Sequence, residues 1–401
     1  MTAVPRAFDP PACLLLGPGP SNAEPRVLRA IASGLLGQFD PRYTDLMNDL
    51  MALSRQVFRT QNPRTYPVSG TSRAGLEAVL ASLIEEGDRV VVGVCGRFGL
   101  LLRDISQRYG AQVVSVKADW GRIVDPGQIE RTLRDGAKVV AMVHGETSTG
   151  VLQPLDEIAR LCRERDALLV VDAVVTLGGC EMETDEWGFD ACIAGLQKCL
   201  GGPSGMAPIT YNERVERALY DRARPPATNY LDLTQLQRYW SPERLNHHTA
   251  PTSMVYGLHE ALRIVLEEGL ESRFERHRRV GAATLAGLRA LGLEPFGDRA
   301  HKIPHITPVR VPAEVDDEAA LRSDLLEDWG IEIGAAFGPL EGTIWRIGTM
   351  GYNARLENVR RLLQALEAVL PRHGFPVPLG EAVPAAERAF AAFAQPASTL
   401  A

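Results

Sequence analysis

The sequence predicts an α/β protein: a large domain with a mostly parallel sheet sandwiched by helices, and a smaller α+β domain. Three observations carry this reading. From about residue 68 to 211, short apolar runs alternate with segments of helical period. The runs are apolar throughout and rich in β-branched residues, as strands buried on both faces of a helix-covered sheet are. A chain of 401 residues also exceeds what a single core supports, so one large and one smaller unit is expected.

The elements follow in order. Residues 1–25 are broken by prolines and are expected to pack on the small domain and a dimer interface. Within 26–270, the large domain, "RVVVGVC" (89–95), "AQVVSVK" (111–117), "KVVAMVH" (138–144), "ALLVVDA" (167–173) and "ACIAGL" (191–196) read as strands. Between them "LLRDISQRYG" and "PLDEIARLCRERD" carry helical spacing, which gives βαβ order. A long helical pair begins after Pro251. Within 271–401, the small domain, "ITPVRVP", the helix "EAALRSDLLEDWG", "IEIGAAFG", "TIWRIGTM" and the helix "RLENVRRLLQALEAVL" suit an α+β unit. The Ala/Pro-rich tail from about residue 376 reads as loosely held.

Composition narrows the function. With 43 Lys+Arg against 50 Asp+Glu, the formal charge is -7, which offers no basic field for nucleic acid and no polybasic membrane anchor. A small anionic substrate would need a few local arginines. The six cysteines show no CxxC and no metal spacing, so no metal site is expected and the thiols read as reduced. No apolar run reaches the roughly 18 residues of a membrane span, and the N-terminus lacks the pattern of a signal peptide. A cytoplasmic location is expected.

The chemistry centres on "AGLQKCLGGPSG", residues 194–205. Lys198 stands at the end of an apolar strand beside a glycine-rich loop, where a lysine can snorkel, bind phosphate or serve covalent chemistry. The loop lacks the spacing of a Walker motif, and its lysine precedes the glycines, which argues against nucleotide binding. Asp172 closes another strand, and ligands of open α/β sheets bind at the strands' carboxyl ends. An acid there can simply cap the structure. Together with Lys198 it points to a lysine Schiff base on pyridoxal 5'-phosphate, with the aspartate against the ring nitrogen. Desolvation would lower the lysine's pKa towards the neutral amine that attacks a carbonyl. In "SGTSRAGLEAVLASL", Thr71 and Ser72 precede a helix directly, so hydroxyls and backbone N–H groups can cap the helix or converge on a phosphate. Cys199 reads as a nucleophile or a packing thiol.

These stretches resemble the class V aminotransferases of fold type I. The resemblance runs from "LLGPGPSN" (15–22) through "VHGETSTG" (143–150), "VVDAVVTLGG" (170–179) and "NHHTAPTSMVYGLHEAL" (246–262) to "WRIGTMGYNARLENV" (345–359). It implies Lys198 as the Schiff-base residue and Asp172 as the pyridinium partner. Gln197 and Thr147 would contact the cofactor, Phe98 would stack on its ring, and Thr71, Ser72 and Arg73 would form the phosphate turn. Thr249 would reach the phosphate of a neighbouring subunit, which implies a homodimer. Arg346 would grip the substrate carboxylate.

Two departures bear on the substrate. Asn246 stands where alanine–glyoxylate enzymes commonly have tyrosine, and Gln38 where they usually have histidine. Carboxamides offer donors and an acceptor, which complements a ureido group. "QFDP", "TYPVSGTSRAG" and "NHHT" resemble the ureidoglycine–glyoxylate branch, with alanine or serine donors as the alternative and a non-catalytic binding protein as the reading from another class. His247 and His248 fit a polar dimer interface, His144 a structural role, and His259, His277, His301, His305 and His373 read as ordinary residues.

Overall fold

The structure, a computed structural model, describes residues 6–393. Seven strands form the central sheet: β1 (Arg64–Ser69), β2 (Arg89–Val94), β3 (Gln112–Lys117), β4 (Val139–Val143), β5 (Leu168–Asp172), β6 (Ala191–Ile193) and β7 (Met206–Tyr211). Their order is β1-β7-β6-β5-β4-β2-β3. All neighbours run parallel except β7, which is antiparallel to both β1 and β6. Every residue of β4 and β5 is buried, as their unbroken apolar text requires. The Ser72–Leu83 helix lies so close to the sheet that a Cβ on Gly75 would stand 2.8 Å from the Ala207 Cβ.

Two strands fall outside the expected set. Both β1 and β7 contain proline, which argues against a strand in a sequence because it removes a ladder donor. Here Pro67 and Pro208 stand opposite each other, but neither lacks a donor towards the other: the Pro208 carbonyl accepts from Ala194, just past the end of β6, so its ring nitrogen faces that side, and Pro67, on the edge strand β1, turns its nitrogen to the open edge.

Two apolar cores divide the molecule. The larger runs from Val27 to Phe274 and includes the sheet. The smaller gathers Val280, Ala283, Trp345, Leu362 and Leu366 with Leu14 and Leu16 of the N-terminal segment. That segment enters through a short parallel pairing, Leu14 to Ile331 and Leu15 to Glu332. The Leu270–Ala290 helix joins the cores, giving Leu270 and Phe274 to one and Val280, Ala283 and Leu288 to the other. A third cluster, Val175, Cys180, Cys199, Ile303, Ile306 and Met350, fills the seam.

The tail corrects the sequence reading. Ala382–Ala392 is a helix packed on the Leu270–Ala290 helix, with Ala382 and Ala386 fully buried. Its small residues let two helices approach closely, so an Ala-rich stretch that looks unstructured supplies a packing face. Residues 394–401 lie outside the described residues. Among the described residues no helix is long and apolar enough to cross a membrane.

Ala386→Asp should therefore cost about 2–4 kcal/mol by burying an unpaired carboxylate. Arg388→Ala, on the exposed side, should stay within about 0.5 kcal/mol. Denaturant unfolding of both variants checks this, and equal stabilities would mean the tail helix is not docked in solution.

Candidate active site

A cavity of about 190 Å³ opens at the carboxyl ends of β5 and β6. It is lined by Thr71, Ser72, Arg73, Phe98, Thr147, Asp172, Gln197 and Lys198, which the sequence had offered as separate candidates.

Asp172 ends β5 and Lys198 lies in the turn after β6, so parallel pairing of the two strands brings both groups to one end of the sheet. The Asp172 Oδ1 accepts the Val174 N–H at 2.9 Å. Burial is the largest cause of its shift and pushes the carboxyl up to about 7. Lys198 is 9% exposed, and its Nζ donates to the Pro18 carbonyl at 2.5 Å. Burial, aided by the Arg346 guanidinium, pulls its amine down to about 8. A group that strengthens as an acid and one that weakens thus share a water-poor cavity, the pattern of groups set for proton and covalent chemistry.

The lysine's enclosure comes from a distant segment. Gly19 has φ of +117°, and a Cβ there would collide with the Lys198 Nζ. Ser21 Oγ donates to the Lys198 carbonyl at 3.1 Å, and Ser21 N to the Gln197 carbonyl at 3.0 Å. The glycines and prolines of "LLGPGPSN" are needed for this close passage, a signal the sequence carried without its meaning.

The opposite end of the cavity suits an anion. Thr71 is the N-cap of the Ser72–Leu83 helix, yet its side chain makes no capping bond. Gln197 Nε2 donates to Ser72 Oγ at 2.7 Å, while the buried Gln197 Oε1 has no hydrogen-bond partner among the described residues. A buried carbonyl oxygen without a donor is costly, so it points to a hydrogen-bond donor on whatever fills the cavity, apart from the anion suited to the helix start. Phe98 is held by Glu146, whose Oε2 accepts the Phe98 N–H at 2.9 Å and the Gly99 N–H at 3.2 Å at the start of the Arg97–Arg108 helix. Glu146 is 1% exposed and its pKa is raised by burial. It was not among the expected residues, because a glutamate in "HGETSTG" gives no sign that it caps a helix some fifty residues earlier.

Arg346 is 4% exposed. Its Nε donates to the Ala335 carbonyl at 2.7 Å, Nη2 reaches the same oxygen, and Nη1 donates to the Thr147 carbonyl at 3.2 Å. One N–H on each terminal nitrogen remains for a carboxylate. Such a donor set could hold an aromatic, phosphorylated cofactor with a carbonyl-reactive carbon beside Lys198, and a substrate acid at Arg346.

Gln38, Asn246 and Thr249 are not among the residues lining this cavity. Gln38 Nε2 donates to Asn246 Oδ1 at 3.2 Å, and Gln38 Oε1 accepts the Ala250 N–H at 3.1 Å. Asn246 and Thr249 are exposed, beside exposed Phe39, Tyr230 and Leu245. His248 Nε2 lies 3.0 Å from Ser69 Oγ, and His144 is buried against Thr176. One spatial cluster corrects the sequence reading of cysteines unassociated with histidines. Cys199, His277 and His305 bring their ligand atoms within 4.8 Å. Their polar atoms already have protein partners: Val175 O for Cys199 and His305, Arg273 O and Gly351 N for His277.

The family model for aminotransferase class-V matches residues 17–339. A (S)-ureidoglycine–glyoxylate transaminase of Bacillus subtilis is 51% identical over 95% of this chain and 96% of its own. An alanine–glyoxylate aminotransferase of Rattus norvegicus is 38% identical over 92% of this chain and 90% of its own. The crystal structure of the ureidoglycine–glyoxylate aminotransferase from B. subtilis superposes with a TM-score of 0.94 at 52% identity, over 96% of this chain and 100% of that one. With its sheet order, its paired Asp172 and Lys198, and these matches across most of its length, the chain belongs to the class-V aminotransferase family.

Proposed function

We propose that the chain is a ping-pong aminotransferase that moves the amino group of (S)-ureidoglycine to glyoxylate, giving oxalurate and glycine, and works as a cytoplasmic homodimer. The observation that carries the reaction class is the burial of Asp172 and Lys198 in one cavity with opposed pKa shifts. The donor rests on the likeness to the B. subtilis enzyme and on the Gln38–Asn246 pair.

Class-V aminotransferases depend on pyridoxal phosphate, which when bound supplies the electron sink for the negative charge left at the donor's α-carbon. The unpartnered Gln197 Oε1 and the uncommitted Thr71 hydroxyl fit such a group, as does a buried carboxyl that lacks a cationic hydrogen-bond partner at Asp172. Thr71, Ser72 and Arg73 would hold the phosphate, Phe98, Thr147 and Gln197 the ring, and Asp172 the proton on the ring nitrogen. Lys198 would hold the cofactor covalently. Its partly neutral Nζ would be the group placed to take the proton from the donor's α-carbon and to give it back. A lysine titrating near 8 is partly neutral at physiological pH, which suits an exchange in both directions. Arg346 holds the carboxylates of donor and acceptor in turn with its two remaining N–H groups.

The surface position of Gln38, Asn246 and Thr249 supports their delivery to the neighbouring subunit's site, and the exposed apolar side chains around them suit a face covered in a dimer. As arranged, the carboxamides offer N–H donors, because each acceptor oxygen is already engaged. Those donors match the carbonyl oxygen of a ureido group.

Lys198→Ala should fold, lose transamination, and leave the cofactor extractable after borohydride, whereas the parent chain should carry it covalently in the peptide containing Lys198. Mass spectrometry of that peptide checks this, and near-parental turnover in the variant would remove the central role. Asp172→Asn should keep bound cofactor and lose most of its rate. A fall of less than about tenfold, roughly 1.4 kcal/mol, would show that the aspartate does not hold the ring proton.

Donor choice is tested by Gln38→His with Asn246→Tyr. Loss of buried hydrogen bonds worth roughly 1–3 kcal/mol should lower kcat/KM for ureidoglycine by about one to two orders of magnitude and leave alanine or serine unchanged or improved. Arg346→Ala should depress all donors. Equal losses for ureidoglycine and alanine in the double variant would return the assignment to an alanine– or serine–glyoxylate enzyme.

A further inference from the structure

We infer that Phe337 is a positioning residue for the carboxylate-binding arginine, roofing the Arg346 guanidinium so that it meets substrate acids oriented and poorly hydrated. The inference rests on the proposed role of Arg346. Three observations lead to it.

The first is placement. The guanidinium carbon of Arg346 lies 4.4 Å from the centroid of the Phe337 ring. A cation over an aromatic face is attracted by the ring's quadrupole, most strongly where water is sparse. Arg346 is 4% exposed, and burial lowers its pKa to about 10. The ring takes one face, the Ala335 carbonyl holds the Nε edge, and the Thr147 carbonyl takes one proton of Nη1. The remaining N–H groups lie in the guanidinium plane, where a carboxylate binds two-pronged.

The second is that Phe337 serves no core. It is 42% exposed and, among the described residues, belongs to none of the three apolar clusters. An exposed ring over a buried cation is not explained by stability alone.

The third is how the segment is fixed. Gly334 and Arg346 exchange backbone hydrogen bonds of 3.0 and 2.8 Å, so the strand bearing the arginine also carries the roof. Gly334 lies against Pro18, whose carbonyl holds Lys198. On the other side, Gly338 has φ of +54°, and a Cβ there would touch the Trp120 ring at 3.4 Å. Gly334, Ala335 and Phe337 thus supply the link to the lysine's enclosure, the edge lock and the face cover.

Phe337→Ala, Phe337→Leu and Phe337→Tyr separate an aromatic face from simple bulk. A cation–π contact of this kind corresponds to about 2- to 30-fold in binding. Phe337→Ala should raise KM for both the amino donor and glyoxylate by that factor, with kcat changing less and the melting temperature unchanged. Phe337→Tyr should restore both KM values, and Phe337→Leu should not. Unchanged KM values in Phe337→Ala, or full rescue by leucine, would overturn the inference. Arg346→Ala measured alongside separates the two claims: if it raises KM while Phe337→Ala does not, only the role of Phe337 falls. If Arg346→Ala leaves KM unchanged, the carboxylate assignment fails and takes the inference with it.

Discussion

The structure turns on keeping an amine and a carboxyl out of water in one small cavity. Lys198 and Asp172 are each displaced by burial, in opposite senses, towards neutrality. Neither shift survives if water enters, so the elements that seal the cavity matter as much as the two groups. The seal on Lys198 is a backbone passage, Pro18 to Ser21, from a segment that pairs with Ile331 and Glu332 of the other unit through Leu14 and Leu15. Closing the lysine's pocket and joining the two cores are therefore one event.

A second tie converges on the same turn from below. Arg273 is 3% exposed on the helix that joins the cores. It donates to the Gly178 carbonyl at 3.0 Å and to the Cys199 carbonyl, and pairs with Glu268. A buried arginine with its carbonyl acceptors and counter-ion in place holds geometry well, because removing any partner leaves a costly charge. His277 adds a bond from the Gly351 N–H, beside Cys199 and His305. The seam behind Lys198 is thus polar and hydrogen-bonded among apolar neighbours, which fixes the lysine's backbone.

Glu146 plays the matching part on the far side. One buried carboxylate accepts from Phe98, Gly99 and Ser148, so the aromatic wall and the Thr147 backbone are fixed together. The Thr147 carbonyl in turn accepts from Arg346. Phe98 and Arg346 are thus coupled through three consecutive residues, Glu146 to Ser148, which accounts for the small polar groups of "HGETSTG".

What the sequence determined by itself was local. Alternation of β-branched runs and helical periods follows from burial along the chain, so the parallel sheet, with Asp172 ending one strand and Lys198 beyond the end of another, was legible without coordinates, although that last strand stops at Ile193 and not at Leu196. Strands β1 and β7 were not, since Pro67 is tolerated because β1 is an edge strand and Pro208 because its ring nitrogen faces Ala194, just beyond the short β6. The tail helix was hidden for a similar reason: alanines gain a face only when another helix supplies the partner. Tertiary structure alone decided which distant residues meet: Gly19 on Lys198, Glu146 under Phe98, Phe337 over Arg346, and Gln38 on Asn246 at the surface, not in the chain's own cavity. Periodicity reports burial of neighbours in sequence, whereas these meetings depend on how the two cores close around the seam, and no local pattern encodes that.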